Sequence, residues 1–272
     1  SLPEGAYPGD YLIPVAKDIK DKDGDKWLSA TENEYVPYFK KIASAAMMVL
    51  IKDSLRKIGI EFDVFTSERE LVESQQVAKT LDYMQSQGLL YKGTLPKPLG
   101  EADEDWVPTE QLLFKSTQFG DDSDRVIARS NGETTYFASD IAYHLNKFNR
   151  GFKKQINVWG ADHGGYVKRI KAALGAVTNN KATLDVVLCQ IVNLEKDGKP
   201  FKMSKRAGNF VMIEDVLEEI DADVLRLFMV IKSPDTQMTF DLEKAKEQSK
   251  DNPVYYMQYA YARACSVLKK YD

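Results

Sequence analysis

The sequence predicts an α/β fold built on a doubly wound parallel sheet, with an inserted α+β subdomain and a helical C-terminal segment. Three observations carry that expectation. Residues 156–159, 166–175 and 186–194 read as strand, helix and strand with short connections, the pattern of a parallel pair joined by a crossover helix. Between Tyr91 and Arg125 the composition shifts to short apolar pieces punctuated by Gly93, Pro96, Pro98, Gly100 and Pro108, as in an insertion. Beyond Gly208 the apolar residues recur at helical spacing.

Taken in order, Gly5 to Ile13 begin with turn residues and pass into a short helical pattern. No strand and glycine turn for a nucleotide precede them, so the chain is expected to start after the first strand of its own fold. From Glu34 to Lys57 the residues Tyr35, Tyr38, Phe39, Ile42, Ala46, Val49, Leu50 and Leu55 mark a helix, and Gly59 stands where it would stop. Residues 60–65 alternate apolar and polar, which predicts a half-buried strand. A helix follows over 67–87, with Ser67 as N-cap, Glu70 three residues on and Gly88 at its end. The acidic runs 101–105 and 121–124 read as solvated loops. Residues 125–130 and 133–137 flank Asn131-Gly132, a hairpin signal because Asn-Gly tolerates the positive φ angles of a tight turn. A helix then begins near Ser139 or Asp140, and residues 160–165 form a loop at the carboxyl end of the strand 156–159. In a parallel sheet ligands bind beyond that end. The last part reads as helices over 212–220 and 224–231, then one opened by Phe240-Asp241 and interrupted at Pro253. Tyr255, Tyr256, Tyr259 and Tyr261 make the final helix too aromatic to stand alone in water, so it is expected to pack on something.

The 272 residues suffice for one large domain or two ordinary ones, and the net charge of −4 argues against a protein that coats nucleic acid by bulk charge. A local basic face remains compatible with it. No run approaches the roughly 20 apolar residues of a membrane span, and the start lacks a signal peptide, so no membrane partner and a cytoplasmic location are expected. The two cysteines, Cys189 and Cys265, lie far apart outside any C-x-x-C pattern and read as small core residues. A monomer is expected.

The stretch that organises the chain is Lys202-Met203-Ser204-Lys205-Arg206, reached through the apolar run 186–194 and the turn Asp197-Gly198. Two ammonium groups three residues apart on a glycine-flanked loop can close over a polyphosphate and neutralise charge as pyrophosphate leaves. A solvated basic loop is the other reading of the same residues.

Lys-Met-Ser-Lys-(Arg) resembles the second signature of class I aminoacyl-tRNA synthetases, and Ala207-Gly208-Asn209-Phe210 continues it as arginyl-tRNA synthetases do. The resemblance to that family runs nearly end to end. It includes residues 5–11, Thr135-Tyr136-Phe137-Ala138-Ser139-Asp140-Ile141-Ala142-Tyr143-His144, Val158-Trp159-Gly160-Ala161-Asp162-His163, Asp221-Ala222-Asp223 with Arg226, and Asn252-Pro253-Val254-Tyr255-Tyr256. It implies a Rossmann-like catalytic domain over 1–209, partial and with its insertion at about 60–135, a helical stem-contact region over 210–248, and the start of an anticodon-binding domain over 249–272. It implies an enzyme that activates L-arginine with ATP, accompanied by Mg²⁺ and with no protein metal site, and transfers it to the terminal adenosine of tRNA(Arg).

Carried over by position, Tyr136 and Asp140 contact arginine. A guanidinium is permanently charged, presents a planar fork to a carboxylate and stacks on an aromatic face; from the residues alone they would be a core tyrosine and an N-cap aspartate. Gly160, Asp162 and His163 line the nucleotide, while His144 reads as a hydrogen-bonded structural residue. Lys202, Met203 and Lys205 meet ATP, with Lys202 and Lys205 stabilising its β- and γ-phosphates in the transition state and Ser204 fixing the loop. Two departures stand out. The family's first signature, His-x-Gly-His, is absent, so the chain alone is expected to be nearly inactive; Gly164 and Tyr261 occupy positions where the family often has histidine. The alternatives are another class I synthetase or a nucleotidyltransferase, and a non-catalytic nucleotide- or tRNA-binding module.

Overall fold

Alternating burial along one strand, and a helix returning from it, produce the expected crossover. The computed structural model describes residues 9, 11–96, 108–200, 211–247, 249 and 252–271. In chain order these form α1 (Leu12–Asp23), α2 (Glu32–Lys57), α3 (Glu68–Glu73), α4 (Gln76–Ser86), β1 (Leu90–Gly93), β2 (Gln111–Phe114), β3 (Arg125–Ala128), α5 (Tyr136–Asn149), β4 (Lys154–Gly160), α6 (Val167–Thr178) and β5 (Thr183–Cys189). There follow β6 (Val192–Lys196), β7 (Lys199–Pro200), α7 (Ile213–Leu217), α8 (Ala222–Ile231), β8 (Met238–Asp241), α9 (Leu242–Lys246) and α10 (Pro253–Leu268). The described residues fall into two units. One takes Val64–Ile191 and Pro234–Thr236; the other takes the residues up to Asp63, Val192–Ser233 and Gln237–Asp272.

In the first unit β4 and β5 pair in parallel from Lys154–Thr183 to Gly160–Cys189, with α6 as the crossover. Gln155 and Asn157 of β4 point into the unit, whereas Ile156 and Val158 are 58% and 67% exposed, so helices cover one face of this pair. The core joins Phe137, Ile141, Ile170 and Leu174 of α5 and α6 to Met84, Phe114, Ile127 and Leu184. Each such side chain contributes about 1.5–3 kcal/mol by leaving water. The insertion is an antiparallel meander, β1-β2-β3.

The acidic run 121–124 is not a solvated loop. Asp121 is buried and accepts hydrogen bonds from Arg125 Nε and Nη2 (both 2.7 Å) and Ser116 Oγ (2.7 Å). Burial alone would raise its carboxyl, but these bonds and one from the Asp122 N–H outweigh burial and hold it at about 2. Asp124 accepts from Tyr91 Oη and from the N–H and hydroxyl of Thr117. The two carboxylates lock the turn between β2 and β3.

Four local expectations change. Residues 60–65 are irregular rather than a strand, with Phe62 and Val64 more than half exposed, because alternation supplies no neighbouring strand to pair with. The helix expected over 67–87 is broken into α3 and α4 at Gln75, whose φ is +59°. The Asn131-Gly132 turn closes only an isolated bridge, Ala128 to Thr134, after which the chain becomes helical. The run 186–194 divides into β5 and β6 at Gln190, whose N–H donates to Pro234 O (2.7 Å).

In the second unit β6 lies between β7 and β8, antiparallel to the first and parallel to the second. Asp197 and Gly198 turn the β6–β7 hairpin with φ of +53° and +68°. Its core gathers Ile58, Val216, Ile220, Val224, Phe240, Leu242 and Val254. Arg226 Nη1 donates to Ile58 O (2.6 Å) and Gly59 O (2.8 Å), satisfying carbonyls that the end of α2 leaves without helical partners. Buried Asn252 caps α10 through its Oδ1 and ties back to α9 by donating to Ala245 O (3.0 Å), with Pro253 in the first turn of the new helix. The aromatic residues Tyr256, Tyr259 and Tyr261 of α10 are exposed. Among the described residues no helix is long and apolar enough to cross a membrane.

Candidate active site

Helix α5 begins earlier than its sequence suggests, and the shift changes the site. Thr135, not Ser139 or Asp140, flanks its start, and the Thr135 hydroxyl donates to the carbonyls of Val126 (3.0 Å) and Ile127 (3.2 Å), anchoring the helix to β3. Tyr136 is thus the first helical residue rather than the end of a strand. Four positions separate it from Asp140, which places the two on one helix face. Tyr136 is 83% exposed, while Asp140 is half-buried.

The Asp140 side chain is held. Tyr166 Oη donates to Asp140 Oδ2 at 2.7 Å. Tyr166 ends the short 3-10 turn Ala161–Tyr166 that follows β4, so this bond sets Asp140 at the carboxyl end of the strand, where parallel sheets present ligand sites. The Tyr166 ring packs edge-on against Phe137 (centroids 5.9 Å apart) and Trp159 (5.8 Å). Burial, then the bond to Asp140, pushes its hydroxyl well above the usual phenol range, so it is a donor at every working pH.

Gly160 ends β4, and Asp162 and His163 lie in the turn after it. Both side chains are open to solvent, 81% and 63% exposed, with His163 Nε2 3.6 Å from Asp162 Oδ2. The His163 ring lies 6.3 Å from that of Trp159. Five of the residues singled out in the sequence therefore belong to one unit: Tyr136, Asp140, Gly160, Asp162 and His163. Lys202, Met203, Ser204 and Lys205 lie outside the described residues.

Beneath Asp140 sits the buried His144. Its Nδ1 is 2.7 Å from the carbonyl of Asp140 and its Nε2 is 2.9 Å from Asn157 Nδ2. A carbonyl only accepts, so Nδ1 carries the proton and Nε2 accepts from the amide. Lys147 Nζ approaches Asn157 Oδ1 at 3.4 Å. The chain links α5 to β4 directly under the carboxylate.

Burial pushes the His144 pKa below its ordinary value. The unfolded chain takes up a proton on this imidazole as pH falls below about 6.5, while the folded chain resists it. The contribution is therefore fully present above that pH and is lost as pH falls, at up to about 1.4 kcal/mol per pH unit. His144→Asn, which removes the titrating group and keeps a donor, is expected to be less stable at pH 7 but flat between pH 6.5 and 5, as read by urea midpoints; a slope equal to that of the parent chain would count against this assignment.

Tyr166 and Asn157 were not singled out from sequence. Asn157 carried a signal, an amide among the apolar residues Ile156, Val158 and Trp159; Tyr166 carried none beyond following Gly164-Gly165. Among the described residues no group of three or more His, Cys, Asp or Glu is placed to hold a metal ion.

The chain is similar to known proteins in sequence and fold. Residues 131–241 match the family model for class I tRNA synthetases (I, L, M and V). Over 98% of its length the chain is 50% identical to the arginine-tRNA ligase of Azorhizobium caulinodans and 49% identical to that of Ruegeria pomeroyi. In each case it spans 46% of the relative, so it covers about half the length of the curated proteins it matches. A Campylobacter jejuni structure provisionally assigned as an arginyl-tRNA synthetase superposes with a TM-score of 0.82 at 37% identity, over 99% of this chain and 55% of that one. The Thermus thermophilus arginyl-tRNA synthetase superposes at 0.65 with 20% identity over 96% of this chain and 49% of that one, a likeness of fold. The doubly wound class I catalytic fold accounts for the parallel pair, the crossover α6 and the meander inserted before α5, and over nearly its whole length the chain is similar to arginine-tRNA ligases.

Proposed function

We propose that this chain supplies the amino-acid pocket and the phosphate-binding loop of an arginine-tRNA ligase acting as a monomer in the cytoplasm. In this reading the carboxylate of L-arginine attacks the α-phosphorus of ATP, the bond to the β-phosphate breaks, and arginyl-adenylate and pyrophosphate form. The arginyl group then passes to the terminal adenosine of tRNA(Arg), releasing AMP. The supporting observation is the shared face of α5, where a fixed carboxylate and an exposed aromatic ring stand one turn apart. A guanidinium can bond the first and stack on the second.

Gly160, Asp162 and His163 would line the nucleotide at the end of β4, and Lys202 and Lys205 would meet the β- and γ-phosphates, with Met203 beside the nucleotide and Ser204 fixing their loop. Mg²⁺ suits ATP phosphate oxygens better than an all-protein cage. The extents 1–209, 210–248 and 249–272 for catalytic, stem-contact and anticodon-binding regions belong to the same proposal.

The test is amino-acid-dependent exchange of labelled pyrophosphate into ATP, run on the full-length protein with tRNA present. Exchange is expected with arginine alone. The amino acids named by the matching family model, isoleucine, leucine, methionine and valine, are the competitors to include. Their apolar side chains would leave the Asp140 carboxylate unpaired. Exchange with one of them and not with arginine would refute the specificity, and none with any amino acid would favour a binding module.

A further inference from the structure

The hydrogen bond on Asp140 says more than that the carboxylate is ordered. Its Oδ2 is taken by the Tyr166 hydroxyl, whereas Oδ1 has no hydrogen-bond partner among the described residues. The phenol has little freedom to leave. Its ring is wedged between Phe137 and Trp159, and the Arg169 guanidinium stacks 4.8 Å from its centroid. Arg169 Nε is itself buried without a hydrogen-bond partner among the described residues, and its guanidinium also lies 5.8 Å from the Phe137 ring centroid. A cation over a phenol ring draws electron density from the oxygen and makes the O–H a stronger donor. From below, the carbonyl of Asp140 accepts from His144, so the main chain is held at the same residue.

We propose that Tyr166 is a specificity-determining positioning residue, whose hydroxyl occupies Oδ2 of Asp140 and so turns Oδ1 toward the guanidinium of the amino acid. The inference rests on the arginine-activating reading and adds to it a residue that never touches the substrate. An unrestrained aspartate on a helix samples several rotamers. A carboxylate locked in one of them meets a planar cationic fork without first being ordered.

Tyr166→Phe removes one hydroxyl and keeps the ring in its aromatic setting. In the full-length protein, steady-state exchange is expected to show a KM for arginine raised roughly tenfold, with the KM for ATP within about twofold of the parent and the thermal midpoint nearly unchanged. A merely structural role would move both substrates together. The double variant Tyr166→Phe/Asp140→Asn supplies an independent reading: if the phenol acts through the carboxylate, its loss adds less than about twofold once the charge is gone. Arginine-dependent exchange in the parent with an unchanged arginine KM in Tyr166→Phe, or full additivity in the double variant, would overturn the positioning role alone. Absence of arginine dependence in the parent would overturn the underlying reading and this inference with it.

Discussion

Asp140→Asn is expected to lower kcat/KM for arginine by about a thousandfold, roughly 4 kcal/mol, while the KM for ATP stays within about twofold. The substitution is nearly isosteric. Its amide oxygen can still accept the Tyr166 hydroxyl, so the bond from the 3-10 turn to α5 is kept and what is lost is the negative charge. A guanidinium facing a neutral amide forfeits its charge-assisted hydrogen bonds and meets an N–H₂ group that can only repel its own donors. Losses of this size are what a site built for a polar substrate group suffers when the match is removed. Replacing Tyr136 should do less, since stacking on so exposed a ring is worth about 1 kcal/mol. The assay is arginine-dependent exchange with each substrate varied in turn. Equal losses toward arginine and ATP, accompanied by a large drop in thermal midpoint, would mean that Asp140 is a structural carboxylate.

The parts of this site that could be read from sequence are those set by short-range rules. Residues 156–159, 166–175 and 186–194 read as strand, helix and strand joined by short connections, so the parallel pair of β4 and β5 and its crossover α6 were foreseeable, though the division of the last run was not. Asp197-Gly198 and Pro253 acted locally and did what such residues do. The clearest failures came where a side-chain contact, rather than the period of a segment, decided the outcome. Residues 133–137 have the look of a second hairpin strand, but Thr135 spends its hydroxyl on β3 and starts α5 instead. That one displacement moved Tyr136 from a strand to the helix face it shares with Asp140. Residues 121–124 are acidic enough to read as a solvated loop, and nothing nearby reveals that Arg125, Ser116 and Thr117 fold back onto them. Tyr166 is the sharpest case. Its contact with Asp140 spans 26 positions and depends on how α5 lies against the end of β4, which neither composition nor spacing encodes. The candidate site residues could be named from the motifs; the hydrogen-bond partner of Asp140 needed the fold.

Lys205→Ala is expected to lower kcat by roughly a hundredfold or more while raising the KM for ATP only a few-fold. The argument is electrostatic and begins from the motif, since Lys202 and Lys205 lie outside the described residues. In the ground state ATP carries its charge over the whole polyphosphate, largely neutralised by Mg²⁺. As the bond between the α- and β-phosphates breaks, negative charge accumulates on the departing pyrophosphate. An ammonium placed beside it is worth more at that moment than before it, and only such a difference accelerates the step. The β6–β7 hairpin precedes the motif in the chain, its two-residue turn set by positive φ angles at Asp197 and Gly198 and its strand β6 paired with β8. Lys205→Arg distinguishes charge from geometry: a compact ammonium that follows moving charge is poorly replaced by a planar fork, so recovery should be partial at most. The measurement is single-turnover adenylate formation at saturating arginine with ATP varied. A variant that binds ATP far more weakly yet forms adenylate at the parental rate once saturated would place the lysine in ground-state binding, and the transition-state role would have to be abandoned.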